Sequence, residues 1–426
     1  MRRHLRGPAL LLCLVCLLGA GCKKPPLDGT ADQPPQPAYQ AGLYTDVNPR
    51  WSHDGRQIAF LRSAPDHQMQ LYLVDSDLEK PLALLESELL CPDRPYRSSQ
   101  ETYSSTDTLA WSPGDRLIAF ERIEWFTFDD GERLPGTSLW SFDTRSGRVM
   151  PLAVHPPHYF SIFYYYHSPE WSPDGRYLAF VAEGINGQRS LCIRPLAAQK
   201  PQETHPRFDN YEDSDWLTWE PLAAQPTRRT RDRLVFRQSV RRTYNVPPTE
   251  TFRRVTPGSA DGRSAGEIWR ITNRDYHAPA QSPATRERLV TLRIGKPVWS
   301  PDGTMLAFTL TPDANDYTRY EIWVWRRSDG KAQRVSPAGR GYFAPVWVDN
   351  ETLGCLSKQG ERYAVFTAGV FDRVVSLLGT IGSADCDWSP DRSRIAWASP
   401  TQGNALNSDE PTTLHLFSTG LRAPKS

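Results

Sequence analysis

The chain has 426 residues, with 50 Lys and Arg against 49 Asp and Glu, a formal net charge of +1. A balance so near zero gives no case for nucleic-acid binding through bulk charge. The length admits two or three average domains, or one long one.

The first residues read as a leader. Arg2, Arg3 and Arg6 precede an apolar run from Ala9 to Leu18, then Gly19-Ala20-Gly21-Cys22. Basic, apolar and small segments in that order mark an export signal over residues 1–21, not a spanning helix. Removing it with its three Arg takes the rest of the chain to −2. Small residues running into a Cys resemble a bacterial lipobox, although Gly19 replaces the commoner Leu. The resemblance implies a lipid on Cys22, anchoring the protein to a membrane without spanning it. Lys23 in place of a retaining Asp favours the outer membrane. Residues 22–40 follow as a tether: from Lys23 on they hold five prolines and reach up to ~55 Å in extended form. Cys13 and Cys16 leave with the leader. Cys91, Cys192, Cys355 and Cys386 stay, none at metal-site spacing. Cys355 reads as a small hydrophobe, and a Cys355–Cys386 disulfide stays open as an alternative.

From residue 41 the chain rewrites one unit. WSHDGRQIAF begins at Trp51, WSPGDRLIAF at Trp111, WSPDGRYLAF at Trp171, WSPDGTMLAF at Trp299 and WSPDRSRIAW at Trp388, with a worn copy, WVDNETLGCL, at Trp347. Such self-similarity signals a repeat architecture. Ser-Pro-Asp-Gly is turn material: Pro presets φ, Asp bonds its own backbone and Gly accepts positive φ. The run after it, apolar on consecutive residues, suits a strand buried on both faces. A further apolar run follows each time: QLYLVD, SLWSFD, SLCIRPL, EIWRIT, EIWVWR and TLHLFS. First strand, turn, buried strand and two more strands make one blade of a β-propeller. The ten-residue motif resembles the TolB-type propeller repeat, also found beside the catalytic domain of prolyl oligopeptidase-like enzymes. The resemblance covers the chain after residue 40 and implies an all-β propeller over 41–426.

Trp51, Trp111, Trp171, Trp219, Trp299, Trp347 and Trp388 predict seven blades. Without Trp219, which no Ser-Pro-Asp-Gly follows, there are six and a large insertion. The fourth blade is expected to use DWLTW, RLVFRQS, EIWRIT and ERLVTLR. The last blade lacks a good fourth strand, so a segment near Tyr39–Asp46 is expected to close the ring. Trp spacings of 60, 60, 48, 80, 48 and 41 show uneven insertion. The extra chain falls between second and third strands (121–137, 239–265, 311–319, 399–412) or between blades (86–107, 155–168). Both classes emerge on one rim of an up-and-down blade, and elaborated loops on a rigid scaffold carry function.

Trp125, Phe126, Phe128 and Asp129 fall in one such insertion, and Tyr159, Phe160, Tyr164, Tyr165, Tyr166 and His167 in the next. Amphipathic aromatics suit a protein- or glycan-binding platform; the competing reading packs alternate ones into the blades. Residues 226–254 hold nine Arg against Asp232 and Glu250, read as a solvated charged face. Gly262–Gly266 matches G-x-S-x-G but lacks the strand–turn–helix setting of a hydrolase nucleophile. His155, His158 and His167 lack metal-ligand spacing, as does the acidic stretch Asp209–Asp215 for Ca²⁺. No cofactor or metal is expected. The reading is a non-catalytic, lipid-anchored envelope protein that binds other envelope proteins, peptidoglycan-associated ones among those the resemblance implies. TolB-type proteins carry an α/β domain ahead of the propeller; here the Pro-rich tether is expected in its place. An enzyme (lyase or hydrolase) with its site in the channel mouth, or a glycan or small-ligand sensor, are the alternatives.

Overall fold

The computed structural model describes residues 45–63, 69–78, 82–87, 108–127, 133–154, 163–184, 189–196, 212–221, 233–240, 249–256, 266–271, 292–312, 316–337, 339–398 and 414–421. Nearly all of them are strand or tight turn, and the fold is a β-propeller. The first sheet runs in chain order through β1 (Thr45–Trp51), β2 (Gln57–Ser63), β3 (Met69–Asp75) and β4 (Leu82–Ser87). The next is formed by β5 (Leu109–Trp111), β6 (Leu117–Thr127), β7 (Arg133–Asp143) and β8 (Val149–Ala153). It joins β9 (Phe163–Trp171), β10 (Tyr177–Gly184) and β11 (Arg189–Pro195) through one parallel pairing, Thr137 with Tyr165.

A four-stranded sheet of β12 (Glu212–Trp219), β13 (Leu234–Val240), β14 (Thr249–Val255) and β15 (Gly266–Ile271) follows. In the sheet after it, β16 (Arg293–Ile294) and β17 (Val298–Trp299) share the first-strand place beside β18 (Met305–Thr311), β19 (Glu321–Arg326) and β20 (Ala332–Arg334). The last two sheets are β21 (Phe343–Trp347), β22 (Thr352–Gln359), β23 (Arg362–Gly369) and β24 (Val375–Ile381), then β25 (Cys386–Trp388), β26 (Arg394–Ala398) and β27 (Leu414–Ser418).

The repeat unit behaves as its chemistry demands. In the turn after Trp171, Ser172 Oγ donates to Asp174 at 2.7 Å and accepts the Tyr177 N–H at 2.9 Å, while Asp174 accepts the Arg176 N–H at 2.9 Å. The same closed set recurs after Trp51, Trp299 and Trp388. Gly55, Gly175 and Gly303 have φ near +70°, and where Gly is missing Asp115 and Arg392 take the same left-handed conformation, at +52° and +63°. Asp115 then accepts the N–H groups of His53 and Asp54 at 2.8 and 2.9 Å, tying its turn to the preceding sheet's. The residues nine places after five of the Trp residues, Phe60, Phe120, Phe180, Phe308 and Leu356, are completely or almost completely buried, while Trp397, nine places after Trp388, is half-buried. Phe60, Phe120 and Phe308 lie between adjacent sheets, the buried strand predicted from consecutive apolar residues.

Two expectations are corrected. EIWRIT is the outermost strand of its sheet (β15), not the third: the third is β14, and ERLVTLR leads into β16 of the following sheet. The reason is that β14 hides a charged strand, with Glu250 buried against Arg237 of β13. The insertions 121–137 and 155–168 are in large part strand: β6 and β7 form a paired ladder from Leu117–Asp143 to Thr127–Arg133, and β9 begins at Phe163. Thr45 and Asp46, the described end of the expected closing segment, belong to β1, paired with Ser63 and Arg62; the rest of that segment lies outside the described residues. The turns that follow the motif Trp residues lie on the rim of first-to-second connections, while 220–233 joins β12 to β13 there; on the opposite rim β22 and β23 also turn tightly, through 360–361.

Candidate functional site

The seven motif Trp residues are all buried, and they do more than fill space. Trp111 donates its indole N–H to the Arg50 carbonyl at 3.0 Å, Trp171 to Ala110 at 3.1 Å, Trp219 to Glu170 at 3.2 Å and Trp347 to Val298 at 2.9 Å. Each acceptor stands one residue before the Trp of a neighbouring sheet's first strand. Trp51 completes the pattern by donating to Asp387 O in the last sheet at 3.2 Å, and its N–H donates to the Asp387 carboxylate at 2.8 Å. Three residues before the Trp, first strands carry a bulge: Asn48, Ser168, Trp216 and Ala344 all have φ between +50° and +55°, where the ladder shifts register. Bulges re-aim side chains, here along the wall of a cavity of about 420 Å³.

Residues of β1, β5, β9, β12, β16–β17, β21 and β25 line that cavity. Its charges are largely matched. Arg237 grips Asp215 through two bonds of 2.7 Å and donates to the Ile294 carbonyl at 3.2 Å. Arg189 reaches the same carboxylate at 3.1 Å and Glu183 at 3.1 Å, and Glu183 lies 3.3 Å from His167. Burial alone would depress the Arg237 pKa, but Asp215 and Glu250 outweigh it and hold it above its ordinary value. Burial raises the Glu250 pKa against the pull of Arg237 and of a 2.8 Å bond from Ser239. Lys296 pairs with Glu170. A chain of opposite charges thus crosses two consecutive strand sets, from His167 on β9 to Glu250 on β14. Among the described residues, no group of His, Cys, Asp and Glu is arranged to hold a metal.

The sequence-predicted platform divides. Trp125 and Phe126 are on β6, paired with Pro135 and Leu134. Tyr164, Tyr165, Tyr166 and His167 are on β9. Tyr166 is a core residue, its ring 5.2 Å from Phe180, and His167 is buried too. Tyr165 is half-buried. Phe128, Asp129, Tyr159 and Phe160 lie outside the described residues, as do Cys22, His155, His158 and most of Gly262–Gly266. Asp213 and Asp215 are strand residues, Asp215 held by two Arg, not a calcium loop. Arg237 shows that the Arg-rich stretch is not wholly a solvated face. Cys355 and Cys386 are thiols that form no disulfide with each other; burial pushes Cys355 up to about 12 and raises Cys386 as well.

No protein-family model matches the chain, and no curated protein is similar to it in sequence. Solved structures are similar in fold. An oligogalacturonate lyase in complex with manganese is 11% identical, with a TM-score of 0.54 over 85% of this chain and 88% of that one. The β-propeller domain of the Trilobed protease from Pyrococcus furiosus, described as having an open velcro topology, is 11% identical, with a TM-score of 0.50 over 84% and 92%. TolB from Acinetobacter baumannii is 15% identical, with a TM-score of 0.40 over 78% and 65%. At such identities the likeness is one of fold, the β-propeller, and it does not single out the TolB type. A lyase and a protease stand among these neighbours, so architecture leaves activity open.

Proposed function

We propose that the protein is a non-catalytic interaction platform of the bacterial cell envelope, anchored by lipid on Cys22 and favouring the outer membrane. Its scaffold is a ring of seven blades in the TolB manner, closed by residues before Thr45 pairing with β27, and its partners are envelope proteins. The observation that carries this reading is the contrast between the two rims. On one, Ser-Pro-Asp-Gly turns close tightly on themselves. At the other, β4, β8 and β15 end and β5, β9 and β16 begin, the ends joined by 88–108, 154–162 and 272–292. Rigid scaffolds present binding residues on such loops. The pairing of cavity charges with one another favours binding over catalysis, since no nucleophile is seen beside a free base among the described residues.

The test is affinity capture from envelope extracts, comparing the full chain with a variant whose residues 156–161 are replaced by Gly and Ser. Tyr166, His167 and Trp171 of β9 must be kept, because they are buried. Loss of specific envelope proteins from the variant's eluate supports the platform; an unchanged set of captured proteins refutes it. Release of the full chain from membranes by Cys22→Ser tests the anchor separately.

A further inference from the structure

We infer that the central cavity binds a small organic carboxylate, held by Arg293 and laid against the indole of Trp216. The inference goes beyond the rim platform and stands without it. A volume of about 420 Å³ suits a single small molecule. Four cationic side chains line it, Arg50, Arg237, Arg293 and Lys296, against three carboxylates, Glu170, Asp215 and Asp387, a surplus of one positive charge. The carboxylates are all engaged: Asp215 by Arg237 and Arg189, Glu170 by Lys296, Asp387 by the Trp51 N–H.

Arg293 is the exception. It lines the cavity half-buried and, among the described residues, makes no hydrogen bond or ion pair, although the buried carboxylate of Glu250 feels its charge. Its planar fork of donors matches a carboxylate in two-point contact. One surplus charge answers a monoanion, not a phosphate dianion.

Trp216 supplies the second observation. It takes the bulge position of β12 with φ +52°, a conformation that is an outlier for so bulky a side chain. The bulge does not call for a large residue, since Asn48, Ser168 and Ala344 make it elsewhere. What the indole adds is a flat apolar wall, half-buried on the cavity, against which a ring can lie. Arg237 ties their two strands together: it bonds Asp215, the neighbour of Trp216, and the carbonyl of Ile294, the neighbour of Arg293, and both residues line the one cavity. Thr309 and Thr311 line the same cavity from β18, opposite β16 in the ladder.

The experiment is calorimetric titration of the full chain with phenylacetate and with D-glucuronate, an aromatic and a saccharide carboxylate. Phenylacetamide, methyl glucoside and inorganic phosphate are the controls. At least one carboxylate is expected to saturate, its neutral counterpart and phosphate binding at least about tenfold more weakly. Whichever acid binds shows whether the flat face is aromatic or sugar. Arg293→Gln should weaken binding at least about tenfold, with Arg293→Lys between it and the natural chain. Trp216→Leu should weaken binding with the thermal transition retained, and it carries the test if Arg293→Gln does not fold. The chain altered at 156–161 should bind the acid unchanged, so the platform and the cavity can fail separately. The inference is overturned if neither acid saturates, if phosphate binds as well as they do, or if Arg293→Gln or Trp216→Leu binds like the natural chain.

Discussion

Two Trp residues of the same repeat position provide a matched comparison of what an indole hydrogen bond is worth here. Trp111 and Trp299 are both buried, at 5% and 8% exposure, each beside a residue of the Phe60 type. Trp111 donates to the Arg50 carbonyl at 3.0 Å, whereas the buried N–H of Trp299 has no partner among the described residues. Trp→Phe removes a similar slice of apolar surface at both sites, leaving similar small voids. At Trp111 it also deletes a bond and strands a carbonyl in the core, at a cost of about 1–3 kcal/mol. At Trp299 it deletes a donor that was already unsatisfied, which offsets part of the packing loss. Arg327, 5.0 Å above the Trp299 ring, keeps an aromatic face in Phe. Trp111→Phe is therefore expected to lose about 1–3 kcal/mol more than Trp299→Phe in urea denaturation, with equal slopes. Equal losses, or a larger one at Trp299, would refute the view that the indole N–H groups join the sheets.

Gly354→Ala is expected to cost about 1–3 kcal/mol, because its Cβ would stand 2.7 Å from the buried Trp388 ring; thermal unfolding checks it, and a neutral result would mean that the ring yields freely. Asp46→Ala removes a buried carboxylate that accepts from Arg62 at 2.7 and 3.0 Å and should cost about 3–5 kcal/mol, read from the urea midpoint. Glu250 has a folded pKa raised above its ordinary 4.5. Its contribution is thus complete below that value and is lost as pH rises through the folded pKa, at about 1.4 kcal/mol per unit of elevation. The stability advantage of the natural chain over Glu250→Gln should accordingly be greatest near pH 4 and shrink toward pH 8; an advantage that is flat or grows with pH contradicts the burial argument.

Much of the scaffold was legible because its causes are local. Ser, Pro, Asp and Gly at fixed offsets close a turn through bonds within five residues, and the apolar run behind it must be covered on both sides. The worn copy at Trp347 also has a reason: Gly354 stands where other copies have Ile or Leu and leaves room for Trp388. What stayed hidden depends on distant residues. β14 carries Glu250, Arg253 and Arg254 and shows no apolar alternation; its buried carboxylate is met from across the ladder by the Ser239 hydroxyl at 2.8 Å and the Arg237 charge at 3.8 Å. The bulges at Asn48, Ser168, Trp216 and Ala344 share a backbone conformation but no residue type. The cavity charges come from strands scattered along the chain, and only the predicted platform's aromatic composition drew attention, while Tyr166 went to the core.

The indole bonds also have a direction. Trp111, Trp171 and Trp219 each reach back to the sheet before them, and so does Trp347. A sheet that frays therefore withdraws the acceptor from its successor's Trp while leaving its own donor anchored behind it. Injury at one point spreads forward along the chain more readily than backward, which gives a scaffold of near-identical parts a built-in order of failure.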